Sequence, residues 1–372
     1  MAGPDLLRAR RLVVKIGSAL LVGSRTGGVR RAWLASLARD IAEARARGTA
    51  TIVVSSGAIA LGRRKLALRD GALRLEEKQA AAATGQTALM RAYDTALARH
   101  RLDVAQVLLT LEETEARRRH LNARDTIETL LKLGVVPVIN ENDTVATEEI
   151  RFGDNDRLAA RVAAMLKADA LVLFSDVDGL YTADPRADPG ARHVPLVESV
   201  DAKTLAMAGP APPGHSSGGM VTKLAAARIA TGAGAWMAVA PGRARHPLSN
   251  LAKGGTATWF RPGEAPARAR TRWIAGHLRT AGTLVVDAGA AAALRRGKSL
   301  LPAGVVGVEG RFERGDAVLV REKDGRELAR GLIAYPAEEA RLIAGKRSGE
   351  IAALLGYHGR EEIIHRDDLA LL

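Results

Sequence analysis

The sequence predicts an α/β protein with a mainly parallel, open sheet covered by helices on both faces, followed by a small, mostly β domain. Three observations predict this fold. Short apolar runs alternate with stretches of helical periodicity up to about residue 262. These runs are uniformly apolar, which is typical of strands buried on both faces. After residue 262, short apolar runs are separated by glycine-containing turns, a pattern typical of small β domains.

The predicted strands and helices of the larger domain alternate along the chain. Strands are predicted at Arg11–Ile16, Thr51–Val54, Val104–Leu109, Val135–Ile139, Ala170–Phe174 and Trp236–Ala240. Helices are predicted at Arg30–Arg47, Glu76–His100, Asn122–Leu133, Asp154–Lys167 and within Ser216–Ala233. Gly48 and Gly134 follow two of these helices, at the position where glycine commonly ends a helix. Asp154 is a candidate N-cap, since its carboxylate can accept from the first free amides of a helix.

Two domains and a linker are predicted from a change in composition and in the spacing of apolar runs after about residue 262. The larger domain covers residues 9–262 and the smaller one residues 278–372, with a linker at 263–277. Pro262–Arg272 is polar and rich in proline and arginine, as linkers often are. In the smaller domain, strands are predicted at Thr283–Val286, Val305–Val308 and Ala317–Val320, and short helices at Glu338–Ala344 and Gly349–Leu355.

Composition restricts the function classes. The net charge of +14 comes from 44 arginines and 11 lysines against 41 acidic residues, yet residues 277–372 carry 15 basic and 14 acidic side chains. This favours a dispersed basic surface over a nucleic-acid footprint. The absence of cysteine excludes disulfides and thiolate catalysis. The N-terminus lacks an apolar signal core and no apolar run could span a bilayer, so we expect a cytoplasmic protein without a membrane partner.

Polar clusters follow four of the predicted strands, at Gly17-Ser18, Ser55–Gly57, Asn140–Asp143 and Ser175-Asp176. The segment 138–156 alone carries Asn140, Asn142, Asp143, Asn155 and Asp156. Short amides and carboxylates of this kind either grip a small ligand or make turns, and the segment alone leaves both interpretations open. Ligands of parallel sheets bind beyond the carboxyl ends of the strands. Four clusters at that edge therefore favour an active site.

Two lysines are candidates for phosphate chemistry. Lys15 lies near the end of the first strand, and Lys223 ends the segment SSGGMVTK, where a glycine-rich turn leads into a helix. Such a turn offers free backbone amides to a phosphate, and a lysine adds a compact positive charge. The alternatives are a surface lysine at a strand end and an ordinary helix cap. Neither a Walker A loop nor a G-x-G-x-x-G loop is present, and the histidines have no metal-ligand spacing.

Seven motifs occur in the order LVVKIGSALL, VVSSGAIALG, HLNARDT, PVINENDTVAT, FGDNDRLAA, SDVDGLYTADPR and SGGMVTKLAAA. Together they resemble the amino acid kinase family, and within it the branch that phosphorylates L-glutamate. The tail, with SLLPAGVVGVEGRFERGDAVLV and GRELARGLIAY, resembles a PUA domain. The resemblance covers the whole chain and implies the amino acid kinase fold with a β-barrel-like PUA domain behind it.

The resemblance also implies roles for individual residues. Lys15 and Lys223 would flank the transferred phosphoryl group, with Asp156 holding both ammonium groups. Ser56, Asp143 and Asn155 would bind glutamate, Asp143 through the α-ammonium group. The residues implied in ATP binding are Lys15, Ser175, Asp176, Ser217, Gly218, Gly219, Met220, Val221, Thr222 and Lys223. Ser175 and Ser217 stand where the family often has threonine, and serine keeps the hydroxyl.

Cofactors and partners follow from the same resemblance. It implies ATP with Mg²⁺ bridged mainly by the ATP phosphates, and no protein metal site. The product would be L-glutamyl 5-phosphate, in the first step of proline biosynthesis, with proline as feedback inhibitor. A homo-oligomer, either dimer or tetramer, is expected. Because an acyl phosphate is labile, hand-over to glutamate-5-semialdehyde dehydrogenase is expected as well.

Two other functions remain as alternatives. One is a related kinase acting on another acidic substrate, since SDVDGLY is shared more widely in the family. The other belongs to a different class, an RNA-binding protein acting through the PUA domain. The near-neutral charge of residues 277–372 argues against RNA as the main partner.

Overall fold

The computed structural model describes residues 3–23, 26–69, 71–110, 113–114, 116–146, 155–209, 219–263 and 280–372. The chain forms two compact units, one of residues 1–115 and 122–266, the other of residues 116–121 and 267–372. Among the described helices, none is both long and apolar enough to cross a membrane.

The larger unit alternates strands and helices. Its strands are β1 (Arg11–Ile16), β2 (Ala50–Ser55), β3 (Val104–Leu109), β4 (Val136–Glu141), β5 (Ala170–Ser175), β6 (Leu180–Tyr181), β7 (His193–Val194), β8 (Leu196–Val197), β9 (Trp236–Pro241) and β10 (Thr258–Phe260). Its helices are α1 (Ser18–Leu21), α2 (Arg31–Ala46), α3 (Ala58–Lys65), α4 (Leu75–Ala98), α5 (Arg117–Lys132), which starts within residues 116–121, α6 (Asn155–Met165), α7 (Ala202–Ala206), α8 (Met220–Gly232) and α9 (Pro247–Ala252).

Eight of these strands form one sheet in the order β3-β4-β2-β1-β5-β9-β10-β8. Neighbouring strands from β3 to β9 are parallel, whereas β10 runs antiparallel to β9. The prediction of a mainly parallel sheet is confirmed. Strand β1 lies in the middle, paired with β2 on one side and β5 on the other. The carboxyl ends of the central strands therefore meet at one edge.

Helices cover both faces of the sheet, because successive side chains of each strand point to opposite sides. On β1, Val14 and Ile16 belong to a core that includes residues of α2, α3, α4 and α9. Val13 belongs to the opposite core, which includes residues of α5, α6 and α8. Strands β1, β2, β4 and β5 are thus buried on both faces, whereas β3, at the edge of the sheet, is mostly half-buried and its Gln106 is exposed.

Helices α3 and α4 approach each other to backbone contact at a pair of glycines. A Cβ on Gly62 would lie 1.7 Å from the carbonyl oxygen of Ala81, and one on Gly85 would lie 1.8 Å from that of Ala58. Only glycine fits at either position. The close approach holds α3, which starts directly after the end of β2, against the long helix α4.

The smaller unit has a five-stranded sheet in the order β12-β11-β13-β14-β15. Its elements are β11 (Gly282–Val286), α10 (Ala288–Arg295), β12 (Val305–Gly310), β13 (Ala317–Glu322), β14 (Glu327–Leu332), α11 (Ala337–Ile343), α12 (Ile351–Leu355) and β15 (Leu369–Leu371). Strands β11 and β13 are parallel and the other pairs antiparallel. The predicted β domain with two short helices near its end is confirmed.

Several predicted boundaries are wrong. Helix α5 begins at Arg117, five residues before the predicted start, because its first four residues are basic and Leu121 alone is too little to show helical periodicity. Strand β4 extends to Glu141, so Asn140 lies within the strand and does not open a loop. Helix α6 is described from Asn155, and the predicted N-cap, Asp154, lies outside the described residues.

Candidate active site

Three charged side chains from distant parts of the chain form one buried cluster. The Nζ of Lys15 lies 2.5 Å from Oδ1 of Asp156, and the Nζ of Lys223 lies 3.0 Å from Oδ2 of the same carboxylate. The side chains of Lys15, Asp156 and Lys223 are only 9%, 1% and 6% exposed. Each ammonium group thus holds one oxygen of the aspartate.

The fold explains how these residues meet. Lys15 is two residues after Val13 on β1 and so points to the same face, where α6 and α8 pack. Asp156 lies in the first turn of α6, where the positive end of the helix dipole favours a carboxylate. Lys223 lies in the first turns of α8, which follows Gly219. One strand end and two helix starts thus converge.

The charge state of Asp156 is fixed by its neighbours. Burial alone would raise the pKa of this carboxyl, because a charge is costly away from water. The two ammonium groups outweigh burial and hold the pKa of Asp156 below its ordinary value. The cluster therefore pairs one carboxylate with two ammonium groups, and its net charge is positive although it is buried.

A chain of side-chain amides adjoins the cluster. The Nδ2 of Asn155 shares its two hydrogens among three acceptors within hydrogen-bond distance, which are the carbonyl of Ser55 at 2.6 Å, Oγ of Ser56 at 2.9 Å and Oδ1 of Asn140 at 2.9 Å. The Nδ2 of Asn140 in turn donates to Oε1 of Gln86 at 3.0 Å. Hydrogen bonds thus connect the ends of β2 and β4, the start of α6 and the middle of α4.

A second contact from α4 supports the end of β2. The hydroxyl of Tyr93 lies 2.9 Å from Oγ of Ser55, and Tyr93 is 1% exposed. Burial raises the pKa of this phenol, so the hydroxyl stays protonated throughout the physiological range. Directly after Ser56, Gly57 takes φ = +106°, a conformation that favours glycine, and α3 begins.

A pocket of about 160 Å³ opens beside the amide chain. Asp143 is among its polar lining residues and is half-buried. The full lining is Ala82, Ala83, Gln86, Thr87, Gln106, Leu108, Glu141, Asn142, Asp143 and Thr144. The pocket thus combines carboxylates with neutral amides and hydroxyls.

The other predicted residues lie at the ends of β5 and at the start of α8. Oγ of Ser175 donates to Oδ1 of Asp176 at 3.1 Å, and the side chain of Asp176 is 55% exposed. Gly219 precedes α8, and Met220, Val221 and Thr222 form its first turn. Strands β5 and β1 are neighbours, so Ser175 and Lys15 lie at the same sheet edge. The predicted Ser217 and Gly218 lie outside the described residues.

Sequence reasoning missed Gln86 and Tyr93. They are seven residues apart and therefore on one face of α4, and both reach the polar ends of strands. A buried glutamine and tyrosine on the same face of an alanine-rich helix was the available signal. Among the described residues, no three histidine, aspartate or glutamate side chains cluster in a way that could hold a metal ion.

Comparison with known protein families agrees with this geometry. The sequence profile of the Amino acid kinase family matches residues 10–238, and that of the PUA domain matches residues 282–355. The carbamate kinase of Giardia lamblia, solved with AMP-PNP, shares the fold with a TM-score of 0.50 at 16% identity, over 68% of this chain and 99% of that one. The chain belongs to the amino acid kinase family.

Curated relatives within that family are similar over nearly the full length. A glutamate 5-kinase of Paramagnetospirillum magneticum is 62% identical over 98% of this chain and 99% of the relative. A glutamate 5-kinase of Rhodospirillum rubrum is 62% identical over 96% of both chains. The resemblance seen in the ordered motifs is confirmed.

Proposed function

We propose that the protein transfers the γ-phosphoryl group of ATP to the γ-carboxylate of L-glutamate, which gives ADP and L-glutamyl 5-phosphate. One observation carries the proposal. In a chain similar to glutamate 5-kinases over its whole length, two buried ammonium groups lie on the two oxygens of one aspartate, at the carboxyl edge of the sheet.

The two lysines supply what phosphoryl transfer requires. Charge spreads over the oxygens of the transferred group in the transition state, so catalysis depends mainly on in-line positioning and countercharge. Lys15 and Lys223 come from different elements, and Asp156 holds their ammonium groups apart. One ammonium group can therefore neutralise charge next to the attacking carboxylate, and the other can neutralise charge next to the leaving ADP. Because their positions are fixed before substrate binds, little reorganisation accompanies the reaction.

Asp156 serves as the positioning group of this centre. Its two oxygens are bonded to the two lysines, and its lowered pKa keeps it ionised. The nucleophile is a carboxylate and is already ionised at neutral pH, so the reaction requires no general base. Asp156 is accordingly proposed to orient the lysines and to take no proton.

Glutamate is proposed to lie along the amide chain. Asp143 would pair with the α-ammonium group, and Ser56 and Asn155 would hold the remainder of the substrate close to the lysines. The direct bond from Asn155 to Ser56 supports a common role for these two residues. Asn155 also precedes Asp156 in sequence, which links substrate binding to the reacting centre.

ATP is proposed to bind along the ends of β5 and the start of α8, where Ser175, Asp176 and the residues from Ser217 to Lys223 would contact it. Both oxygens of Asp156 are bonded to lysines, so the Mg²⁺ expected with ATP fits on the nucleotide's phosphates and not on this carboxylate. When bound there, the ion supplies neutralisation of phosphate charge. The backbone amides at the start of α8 would bind phosphate oxygens.

Regulation and partners are proposed from the same assignment. The reaction would be the first step of proline biosynthesis in the cytoplasm, with proline as feedback inhibitor and a dimer or tetramer as the working form. The labile acyl phosphate would pass to glutamate-5-semialdehyde dehydrogenase. The near-neutral charge of residues 277–372 offers little attraction to RNA, so no function directed at RNA is proposed.

Formation of a hydroxamate from the acyl phosphate tests the proposal. The protein is incubated with ATP, Mg²⁺, hydroxylamine and L-glutamate, N-acetyl-L-glutamate or L-aspartate, each with and without proline. We expect product with L-glutamate, and less product when proline is added. Faster turnover of N-acetyl-L-glutamate or L-aspartate would assign the chain to another kinase of the family.

A further inference from the structure

Gln86 carries a buried side-chain amide that is hydrogen-bonded through its oxygen but not through its nitrogen. The residue is 8% exposed, and its Oε1 accepts from Nδ2 of Asn140 at 3.0 Å. Its Nε2 is buried and has no hydrogen-bond partner among the described residues. This nitrogen carries two hydrogens, and neither has an acceptor among the described residues.

The orientation of this amide is fixed by the backbone. The amide N–H of Glu141 donates to one side-chain atom of Asn140 at 2.9 Å, and only an oxygen can accept there. The other atom of that side chain is therefore the nitrogen, which must donate to Gln86. Gln86 consequently presents its oxygen to Asn140 and its nitrogen away from it, so exchanging the two ends would break the bond.

The free donor belongs to a residue that lines the 160 Å³ pocket shared with Asp143. A buried amide without an acceptor is destabilising, so such donors in native proteins usually meet a ligand or an ordered water. Glu141 and Asp143 place two carboxyl groups in the lining of the pocket. The side-chain amide of Gln86 is a neutral donor. Unlike a lysine or an arginine, it can donate to an anionic group of a ligand without pairing with Glu141 or Asp143.

We propose that Nε2 of Gln86 donates a hydrogen bond to the α-carboxylate of the amino-acid substrate and makes this pocket specific for its head group. The inference rests on the proposed function and extends it. Asp143 would bind the α-ammonium group and Gln86 the α-carboxylate, so the pocket would recognise both charged groups of the amino acid. Through Asn140 and Asn155, the same amide chain connects the head group to the reacting centre.

The variant Gln86→Glu separates this role from mere support of Asn140. A carboxylate keeps an oxygen for Nδ2 of Asn140 but replaces the donor with a second acceptor. The readouts are the KM for L-glutamate and the inhibition constant of 4-aminobutyrate, which has the same chain without the α-carboxylate. We expect the KM for L-glutamate to rise about tenfold or more, as for loss of a hydrogen bond to a charged group, while the inhibition constant of 4-aminobutyrate stays the same or falls.

Gln79→Glu is the matched control. Gln79 lies two turns earlier on the same helix and donates from Nε2 to the carbonyl of Ala146 at 3.3 Å, outside the pocket. The variant Gln79→Glu should leave the ratio of the KM for L-glutamate to the inhibition constant of 4-aminobutyrate at its wild-type value. Gln86→Met, similar in shape and uncharged, is the second variant if Gln86→Glu does not fold. It removes both the donor and the oxygen that accepts from Asn140, so in this variant the test is whether the KM for L-glutamate rises more than the inhibition constant of 4-aminobutyrate. Thermal unfolding of each variant shows which case applies.

The outcomes separate the two proposals. A selective loss for L-glutamate in a folded Gln86 variant supports the contact. An equal change in both constants, or an unchanged KM for L-glutamate, would overturn it while the proposed reaction still stands. A wild-type protein that does not phosphorylate L-glutamate would instead overturn the proposed function, and with it the identity of the ligand.

Discussion

The Nζ of Lys223 lies 3.0 Å from Oδ2 of Asp156, although 67 positions separate the two residues. Lys15 takes the other oxygen, from the central strand of the sheet. Two like charges are thereby held at a fixed spacing by a single carboxylate that faces almost no solvent. This arrangement is costly in isolation, which is the kind of cost that proteins accept at functional sites.

Asp156→Asn should destabilise the protein and abolish most activity. Without the carboxylate, two buried ammonium groups repel each other and lose their partner. Breaking a buried ion pair in this way typically costs about 3–5 kcal/mol. Urea unfolding measures the effect, with Asp94→Asn on the exposed side of α4 as control. An Asp156→Asn protein as stable and active as wild type would contradict the assigned role.

The pH dependence of this stabilisation has a defined sign. The pKa of Asp156 is lower in the folded chain than in the unfolded chain, so its contribution is complete above the ordinary aspartate value of about 3.9. It is lost as the pH falls through the lower folded value. The stability difference between wild type and Asp156→Asn should therefore be constant from about pH 6 to pH 8. A difference that changed across that range would mean that another group controls it.

Lys15→Ala and Lys223→Ala should each lower kcat strongly, because they remove countercharge from the transition state. Groups of this kind are typically worth about 3–4 kcal/mol, or a factor of about 10²–10³ in kcat. Steady-state kinetics at saturating ATP and L-glutamate measure the loss. Lys253→Ala, at an exposed position after α9, provides the control. Near-normal turnover in either variant would remove that lysine from the mechanism.

Asp143→Ala should mainly raise the KM for L-glutamate. The carboxylate is proposed to bind the α-ammonium group, which is remote from the transferred phosphoryl group and equally charged in ground and transition states. The KM for ATP, measured in the same preparation, is the internal control. A fall in kcat with an unchanged KM for L-glutamate would place Asp143 elsewhere in the mechanism.

Gly85→Ala should destabilise the larger unit. Its new Cβ would overlap the carbonyl oxygen of Ala58 and force α3 and α4 apart. Overpacking of this kind usually costs about 1–3 kcal/mol. Because α3 starts beside Ser56, we also expect weaker glutamate binding. Gly232→Ala, at a position where the added Cβ meets nothing beyond the adjoining backbone within 4 Å, is the control in thermal unfolding and should not destabilise the protein.

Strands β1 to β5 could be predicted closely because each is a run of mainly apolar residues. Strands β1 and β3 have the predicted bounds, and β2, β4 and β5 differ by one or two residues. Strands β10 and β8, which follow β9 at one side of the sheet, have only two or three residues, too few for any periodicity to reveal them. Their place in the sheet depends on pairing with distant segments, which local pattern does not encode.

The candidate site could be predicted as a set of residue types but not as a network. The sequence places Lys15, Asn140 and Ser175 at strand ends, and parallel topology brings strand ends together. It does not say that Gln86 and Tyr93, in the middle of a long helix, reach those ends. Those contacts depend on how closely α4 packs on the sheet and on α3, and the glycine pair that allows it becomes meaningful only in three dimensions.

Oxygen transfer shows whether the γ-carboxylate of L-glutamate attacks the phosphorus of ATP. L-glutamate labelled with ¹⁸O in the γ-carboxylate is incubated with the protein, ATP, Mg²⁺ and hydroxylamine, and the released phosphate is examined by ³¹P NMR. Attack of the γ-carboxylate on phosphorus makes a labelled oxygen the bridge, and hydroxylamine then expels phosphate with that oxygen. We expect one ¹⁸O in each phosphate formed together with hydroxamate. Hydroxamate formation accompanied by unlabelled phosphate would contradict attack by the γ-carboxylate.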